Sequence, residues 1–295
     1  MKLQLLLIIC ASIVSFSASA AVFKGADGVE VDIKSPKRVI ALNTSTVEIL
    51  YAFKKQDLIV GVDAGSKFPE GIQKTKTNLG HPYRPSVEGM ISLKPDLIIA
   101  PQENIPATTV EQLRTAKIPV LILEDSGKNG VEGLKSRITL MGKVFESEKE
   151  ATALIAKLDK QAADLSAKIK KHNKHPKIFF LYAHGAKEAF IYGKQTGSHT
   201  LIEAVGGNNA AEFTTGTKPL TAEAMVQASP DVIIMLTRGL TALGGVDGAL
   251  KLPGVALSKA GKERAIFEVD DSIRWVGPRF YEFADKLYTE INAVK

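Results

Sequence analysis

The chain has 295 residues, enough for one large or two medium domains with ample core. Its formal charge is +6, its basic residues are mostly scattered and no segment resembles an RNA- or DNA-binding module, so the balance favours a small anionic ligand over nucleic acid. The one cysteine, Cys10, lies in an N-terminal apolar run; once that run is removed, disulfides, thiolate metal sites and cysteine nucleophiles are excluded.

Lys2, the apolar stretch over residues 3–16 and Ala18-Ser19-Ala20 follow the charged, apolar, small-residue order of a secretory signal peptide, expected over residues 1–20. The run is shorter than the roughly 18 residues of a spanning helix, and Ile9 is too bulky a neighbour for a lipoprotein cysteine at Cys10. The expectation is an exported, soluble protein.

A turn, G-A-D-G, leads to Ser35-Pro36 and a strand over residues 38–42. Asn43 to Ser45 cap a helix to Phe53, and a second strand covers residues 58–62. This alternation begins a parallel α/β sheet. Residues 63–83 are polar, with Pro69, Gly71, Gly80 and Pro82, and such a loop after a strand is a natural place for binding residues. S-V-E-G-M-I-S-L-K-P-D-L-I-I, residues 86–99, reads as a short helix, a Pro-Asp turn and a strand covered on both faces. A helix over 108–116, a strand over 119–123 and a helix over 130–145 follow.

Residues 147–172 carry the longest helical pattern, with Ala151, Leu154, Ile155, Leu158, Ala162, Leu165 and Ile169 in one stripe and no glycine or proline. Lysines near its end complement the helix dipole. A strand over 177–182 then opens a second half as 38–42 opens the first. His184-Gly185 ends it, and Ile191 and Tyr192 precede G-K-Q-T-G-S-H-T and a helix over 200–204 closed by Gly206-Gly207. T-A-E-A-M-V-Q-A-S-P-D-V-I-I, residues 221–234, repeats 86–99 without a gap: Glu88 falls on Glu223, Met90 on Met225, Pro95 on Pro230 and Asp96 on Asp231. The repeat predicts two similar lobes, residues 21–146 and 175–295, joined by a helix over 147–174. A glycine-rich run over 237–254, a strand over 265–269, a loop through Trp275 and Arg279 and a last helix complete the chain.

Across nearly all of this length the sequence resembles the periplasmic substrate-binding proteins of bacterial haem importers, in the helical-backbone class (class III) that also serves iron-siderophores and cobalamin. The resemblance rests on R-V-I-A-L-N-T-S-T-V-E-I-L-Y-A-F from Arg38, L-G-H-P-Y-R-P-S-V-E-G-M-I-S-L-K-P-D from Leu79, L-Y-A-H-G from Leu181, G-L-T-A-L-G-G-V-D-G from Gly239 and V-G-P-R from Val276. It implies an α/β fold of two Rossmann-like lobes with parallel central sheets, joined by one long α-helix, with the ligand cleft between them. It further implies a periplasmic monomer with no catalytic cofactor, carrying ferric haem b as transported ligand to the permease and ATPase of an inner-membrane ABC transporter.

The resemblance gives Glu88 and Glu223 the role of exposed carboxylates, one on each lobe, that meet arginines of the permease. At the iron site this chain departs from the family pattern of a tyrosine after the loop glycine and an arginine two residues later: those positions hold His81 and Tyr83. Two arrangements stay open, an axial imidazole from His81 or a shifted loop in which Tyr83 supplies a phenolate beside Arg84. His184 matches a histidine used from the opposite wall. Arg84, Arg279 and Arg238, with Lys67, are candidates for the propionates, and Trp275, Tyr192, Tyr281 and Phe68 for covering the ring.

No G-x-S-x-G elbow, H-E-x-x-H helix or phosphate loop is present, which disfavours an enzyme. A siderophore or cobalamin binder would share the fold, the leader and both glutamates, but would not need a histidine or tyrosine over residues 79–84.

Overall fold

The computed structural model describes residues 21–183, 185 and 188–293. The leader expected over residues 1–20, with Cys10, and the candidate ligand His184 lie outside them. Among the described residues no helix is long and apolar enough to cross a membrane.

The first half opens with an antiparallel pair, β1 (Ala21–Lys24) and β2 (Glu30–Ile33). Its main sheet comprises β3 (Val39–Ala41), β4 (Ile59–Val62) and β5 (Thr77–Asn78). A small hairpin, β6 (Gly80–His81) and β7 (Arg84–Pro85), precedes the last two strands of that sheet, β8 (Leu97–Pro101) and β9 (Val120–Leu123). The order is β5-β4-β3-β8-β9, with all neighbours parallel. Every residue of β3, β8 and β9 is buried, as a parallel sheet covered on both faces requires.

The second half is built from β10 (Lys177–Ala183), β11 (Ala189–Tyr192), β12 (Asn208–Asn209), β13 (Thr217–Pro219), β14 (Val232–Leu236) and β15 (Ile266–Val269). Here the expected parallel sheet holds only in part. β12, β14 and β15 share the direction of β10 through parallel pairings, but β11 pairs antiparallel with β10 and β13 antiparallel with β11. The connection from β10 to β11 is too short for a crossover of a dozen residues, so the chain can return only as a hairpin.

The sequence repeat is a structural repeat. Ser86 and Thr221 each cap a short helix, accepting from the backbone N–H groups of Gly89 and Ala224, both at 3.0 Å. Met90 and Met225 are fully buried. Lys94 and Ser229, each immediately before its proline, take left-handed backbone conformations (φ 48° and 41°) that turn the chain away after the helix end. The Asp96 carboxylate then accepts from the N–H groups of Lys37 and Arg38 at 2.7 and 2.9 Å, and that of Asp231 from Lys177 N–H at 2.9 Å. In both halves an aspartate thus clips the start of the first central strand to its neighbour.

Helix Glu148–His172 lies between the halves in sequence and packs against helices Gly130–Val144 and Phe280–Ala293. Ala151, Leu158 and Leu165, seven residues apart, are its buried positions. Gly142 lets the first pair approach, because a Cβ there would stand 2.7 Å from that of Ala151. The halves also meet directly. Arg137, 1% exposed, donates to the Val276 carbonyl at 2.6 Å and to that of Asp125 at 3.3 Å, and Ser45 Oγ donates to the same Val276 carbonyl at 3.2 Å. Arg279 donates from Nε and Nη2 to Glu48 Oε1 at 3.0 and 2.8 Å. One continuous apolar core includes residues of both sheets and of the long helix.

Because Glu48 is buried and its partner lies in the other half, Glu48→Ala is expected to lower the unfolding free energy by about 3 kcal/mol in urea denaturation. A loss below about 0.5 kcal/mol, the scale of a neutral surface change, would show that the pair does not hold the seam.

Candidate functional site

The carboxyl ends of the central strands of both sheets face a common cleft. Its first wall is the β6–β7 hairpin, in which His81 stands opposite Arg84 and Pro82 and Tyr83 form the tip. Gly80 enters the hairpin at φ 90°, a conformation that favours glycine. Fully buried Asn104 anchors the tip by donating to the Pro82 carbonyl at 3.1 Å, while its own amide oxygen accepts from Asn43 Nδ2 at 2.7 Å. His81 Nδ1 accepts the Tyr83 backbone N–H at 3.2 Å, and the two rings lie 5.7 Å apart, tilted by 52°. Both residues are exposed, Tyr83 by 40%.

Tyr83 reaches the second wall through a side-chain hydrogen bond with Trp275. Burial pushes its phenol pKa up, the charge of Arg274 opposes the rise and the Glu103 carboxylate adds to it. Glu103 is itself pushed up by burial and by Asp125; its Oε1 accepts from Ser126 N–H and Oγ–H, while its buried Oε2 has no partner among the described residues. Asp63, fully buried, accepts from the N–H groups of Asn43, Gly65 and Ser66. Beside Tyr83 a hollow of about 770 Å³ has Ile105, Val110 and Ile122 among its lining residues, a size within the roughly 300–1,000 Å³ of small-molecule sites.

The second wall is aromatic and basic. Tyr182 is the last residue but one of β10, Tyr192 ends β11, and the loop after β15 supplies Arg274 and Trp275. The Arg274 guanidinium carbon lies 4.5 Å from the Trp275 ring centroid and 5.2 Å from that of Tyr182. Arg238 stands 5.6 Å from the same Tyr182 ring, donates to its hydroxyl at 2.9 Å and pairs with Asp271 at 3.4 Å. Burial pushes the Tyr192 phenol up, with the charge and a hydrogen bond of Arg274 opposing.

Tyr83, His81, Arg238, Trp275 and Tyr192 therefore gather on the two walls. Arg84 is exposed on the hairpin's outgoing strand. Arg279 is engaged at the seam by Glu48, with its guanidinium carbon 4.4 Å from the Phe68 ring centroid and 4.8 Å from that of Phe283. Tyr281 packs edge-on against Phe280 at 5.2 Å. His199 contacts Asn209 and Glu203, and His172 stacks on Tyr288. Glu88 and Glu223 sit in the first turns of the two repeated helices, both exposed, and hydrogen bonds to its own backbone N–H and Thr221 hold the Glu223 carboxyl below the usual range.

The description "Periplasmic binding protein" belongs to the family model that matches residues 39–273. The chain is similar to the uncharacterized ABC transporter substrate-binding lipoprotein YvrC of Bacillus subtilis, 30% identical over 262 residues, 88% of this chain and 81% of that protein. It is also similar to a cobalamin-binding protein of Halobacterium salinarum, 30% identical over 68% of this chain but only 53% of the relative. Among solved structures it resembles the apo form of the periplasmic heme-binding protein RhuT of Roseiflexus sp. RS-1, with 30% identity, a TM-score of 0.82 and coverage of 88% of this chain and 99% of that one. It also resembles the periplasmic heme-binding protein HutB of Vibrio cholerae, with 28% identity, a TM-score of 0.76 and coverage of 86% and 98%.

Sequence reasoning missed Arg274, Tyr182, Asn104 and Glu103. A signal existed for two of them: Arg274 adjoins the only tryptophan, and Tyr182 stands at the end of the strand that opens the second half. The walls also touch through Gly65, where a Cβ would stand 2.9 Å from both Pro82 Cγ and Trp275 Cη2. Gly65→Val is expected to force them apart and shift the emission of Trp275, the sole tryptophan, to longer wavelength, at a cost of about 2 kcal/mol. An unchanged emission maximum would contradict the contact.

Proposed function

We propose that this chain, which belongs to the periplasmic binding protein family, captures haem outside the cytoplasmic membrane and delivers it to the permease of an ABC transporter. The observation that carries this reading is the exposed His81–Tyr83 tip facing an arginine- and aromatic-lined wall, which joins an iron-ligating phenol or imidazole to a surface for a flat anionic ring. Heme-binding proteins that match over nearly their whole lengths support it. The cobalamin-binding relative favours a second reading, in which the same cleft takes a corrinoid.

In this account the leader over residues 1–20 sends the chain to the periplasm, where it works as a monomer. Lobes over 21–146 and 175–295 are held by the connection over 147–174. The cargo is ferric haem b, bound without catalysis through Tyr83 as phenolate or His81 as neutral imidazole, with His184 approaching from the opposite lobe. Arg84, Arg238 and Arg279 are the cations available to its propionates, and Trp275 and Tyr192 cover its faces.

Glu88 and Glu223 are the docking pair for the permease. One helical turn beyond them Ile91 and Val226, equivalent in the repeat, are 42% and 66% exposed, so each lobe offers a carboxylate and an aliphatic side chain together. The ATPase of the transporter drives the uptake.

Titration of the purified protein with haemin is expected to give a saturable Soret change. With Tyr83 as the ligand, iron takes its phenolate, and a phenol whose pKa burial raises must give up its proton. One proton then leaves for each haem bound, and affinity rises by up to about tenfold per pH unit between about pH 6 and 9. Tyr83→Phe should abolish that slope and shift the spectrum. A flat profile with an unshifted Tyr83→Phe spectrum assigns the iron to His81 or His184, and no saturable change in the parent sinks the haem reading in favour of corrinoids. Glu88→Ala and Glu223→Ala should each leave haem binding intact and weaken stimulation of the reconstituted transporter's ATPase by up to about fivefold; full stimulation in the double variant would remove the docking role.

A further inference from the structure

We propose that Arg238 and Arg274 form a two-guanidinium clamp on the Tyr182 ring, which grips paired carboxylates on one edge of the cargo and selects a free-acid porphyrin over a neutral macrocycle. The inference rests on the haem reading and names which feature of haem the cleft recognises.

Both guanidinium carbons lie over one ring, at 5.6 and 5.2 Å from its centroid. That ring is a rigid platform: Tyr182 is 4% exposed, and its strand pairs with β11 on one side and β14 on the other. Arg238 is oriented by its bond to the Tyr182 hydroxyl at 2.9 Å, and Arg274 by stacking on Trp275 at 4.5 Å. Asp271, at 3.4 Å from Arg238, is the one carboxylate with an ion pair to either arginine among the described residues, and Arg274 Nε is buried without a hydrogen-bond partner there. The wall therefore carries surplus positive charge. Planar guanidinium forks match carboxylates in two-point geometry.

The opposite wall has the reverse character, with Glu103 and Asp63 buried beside Tyr83. An anionic edge is repelled there and drawn to the arginines. The two propionates leave a haem ring side by side, whereas the periphery of a corrinoid carries neutral amides, so the clamp discriminates between the two cargoes of related proteins.

The test compares ferric haemin with its dimethyl ester, which keeps the iron and the ring but has no carboxylates, on the parent protein, Arg238→Gln, Arg274→Gln and the double variant. Binding is followed by the Soret band and by quenching of Trp275. The parent is expected to prefer haemin by about ten- to a hundredfold. The double variant should bring the two affinities together: any loss of Tyr83 ligation on removing Arg274 weakens both compounds alike, whereas loss of the clamp weakens haemin further. Arg274→Lys, which keeps the charge but loses the fork, should fall between and serves if the glutamine variant does not fold. A parent that binds both compounds equally, or a double variant that keeps the parent's preference, overturns the clamp and leaves the haem reading standing. A parent that binds neither overturns the haem reading itself.

Discussion

The structure depends on one buried polar junction, where the Val276 carbonyl accepts from both Arg137 and Ser45 and where Glu48 holds Arg279. Polar groups with so little access to water are costly unless fully satisfied. The desolvation is visible in Glu48, whose carboxyl is pushed up by burial against the pull of Arg279, and in Arg137, pushed down to about 10 yet still charged at neutral pH. A junction of this kind tolerates little sliding, because any displacement strands a charge. Together with the close packing of Gly142 on Ala151 it gives the base of the cleft a packed polar and apolar join.

Above that base the two halves are one design used twice. The clip from Asp96 or Asp231, the left-handed residue before the proline and the buried methionine recur in register. What differs is what each scaffold carries at the carboxyl ends of its strands. The first half ends in a hairpin that lifts a phenol and an imidazole to its tip, the second in a flat antiparallel edge and an arginine–tryptophan loop. Equivalent scaffolds with unlike walls suit a ligand whose two sides are unlike.

Much of the scaffold could be read from the residues alone, because period and burial leave a mark in composition. The continuous apolar runs of β8 and β14 and the stripe of helix Glu148–His172 are such marks, as is the repeat itself. The antiparallel edge of the second sheet was not legible: β11 has the residues of any strand, and its direction follows from the length of a connection rather than from its own side chains. The site was legible where neighbours in sequence are neighbours in space, as with His81 and Tyr83. It was opaque where partners are distant. Arg279 reads as a free cation until Glu48, 231 residues away, is seen against it, and Arg274 acquires its place only when Tyr182 and Trp275 close around it.

The electrostatics of the cleft follow from that separation. Carboxylates buried behind the hairpin raise the cost of negative charge at Tyr83, and the arginine that lowers it belongs to the other wall. A phenolate is therefore best stabilised when both walls stand where the junction holds them. Had the arginine lain two residues along the same hairpin, the charge state of Tyr83 would depend on one loop alone. Placed across the cleft, it makes the charge state of the Tyr83 phenol a property of both halves together, so the packing of the base and the chemistry of the tip are parts of the same constraint.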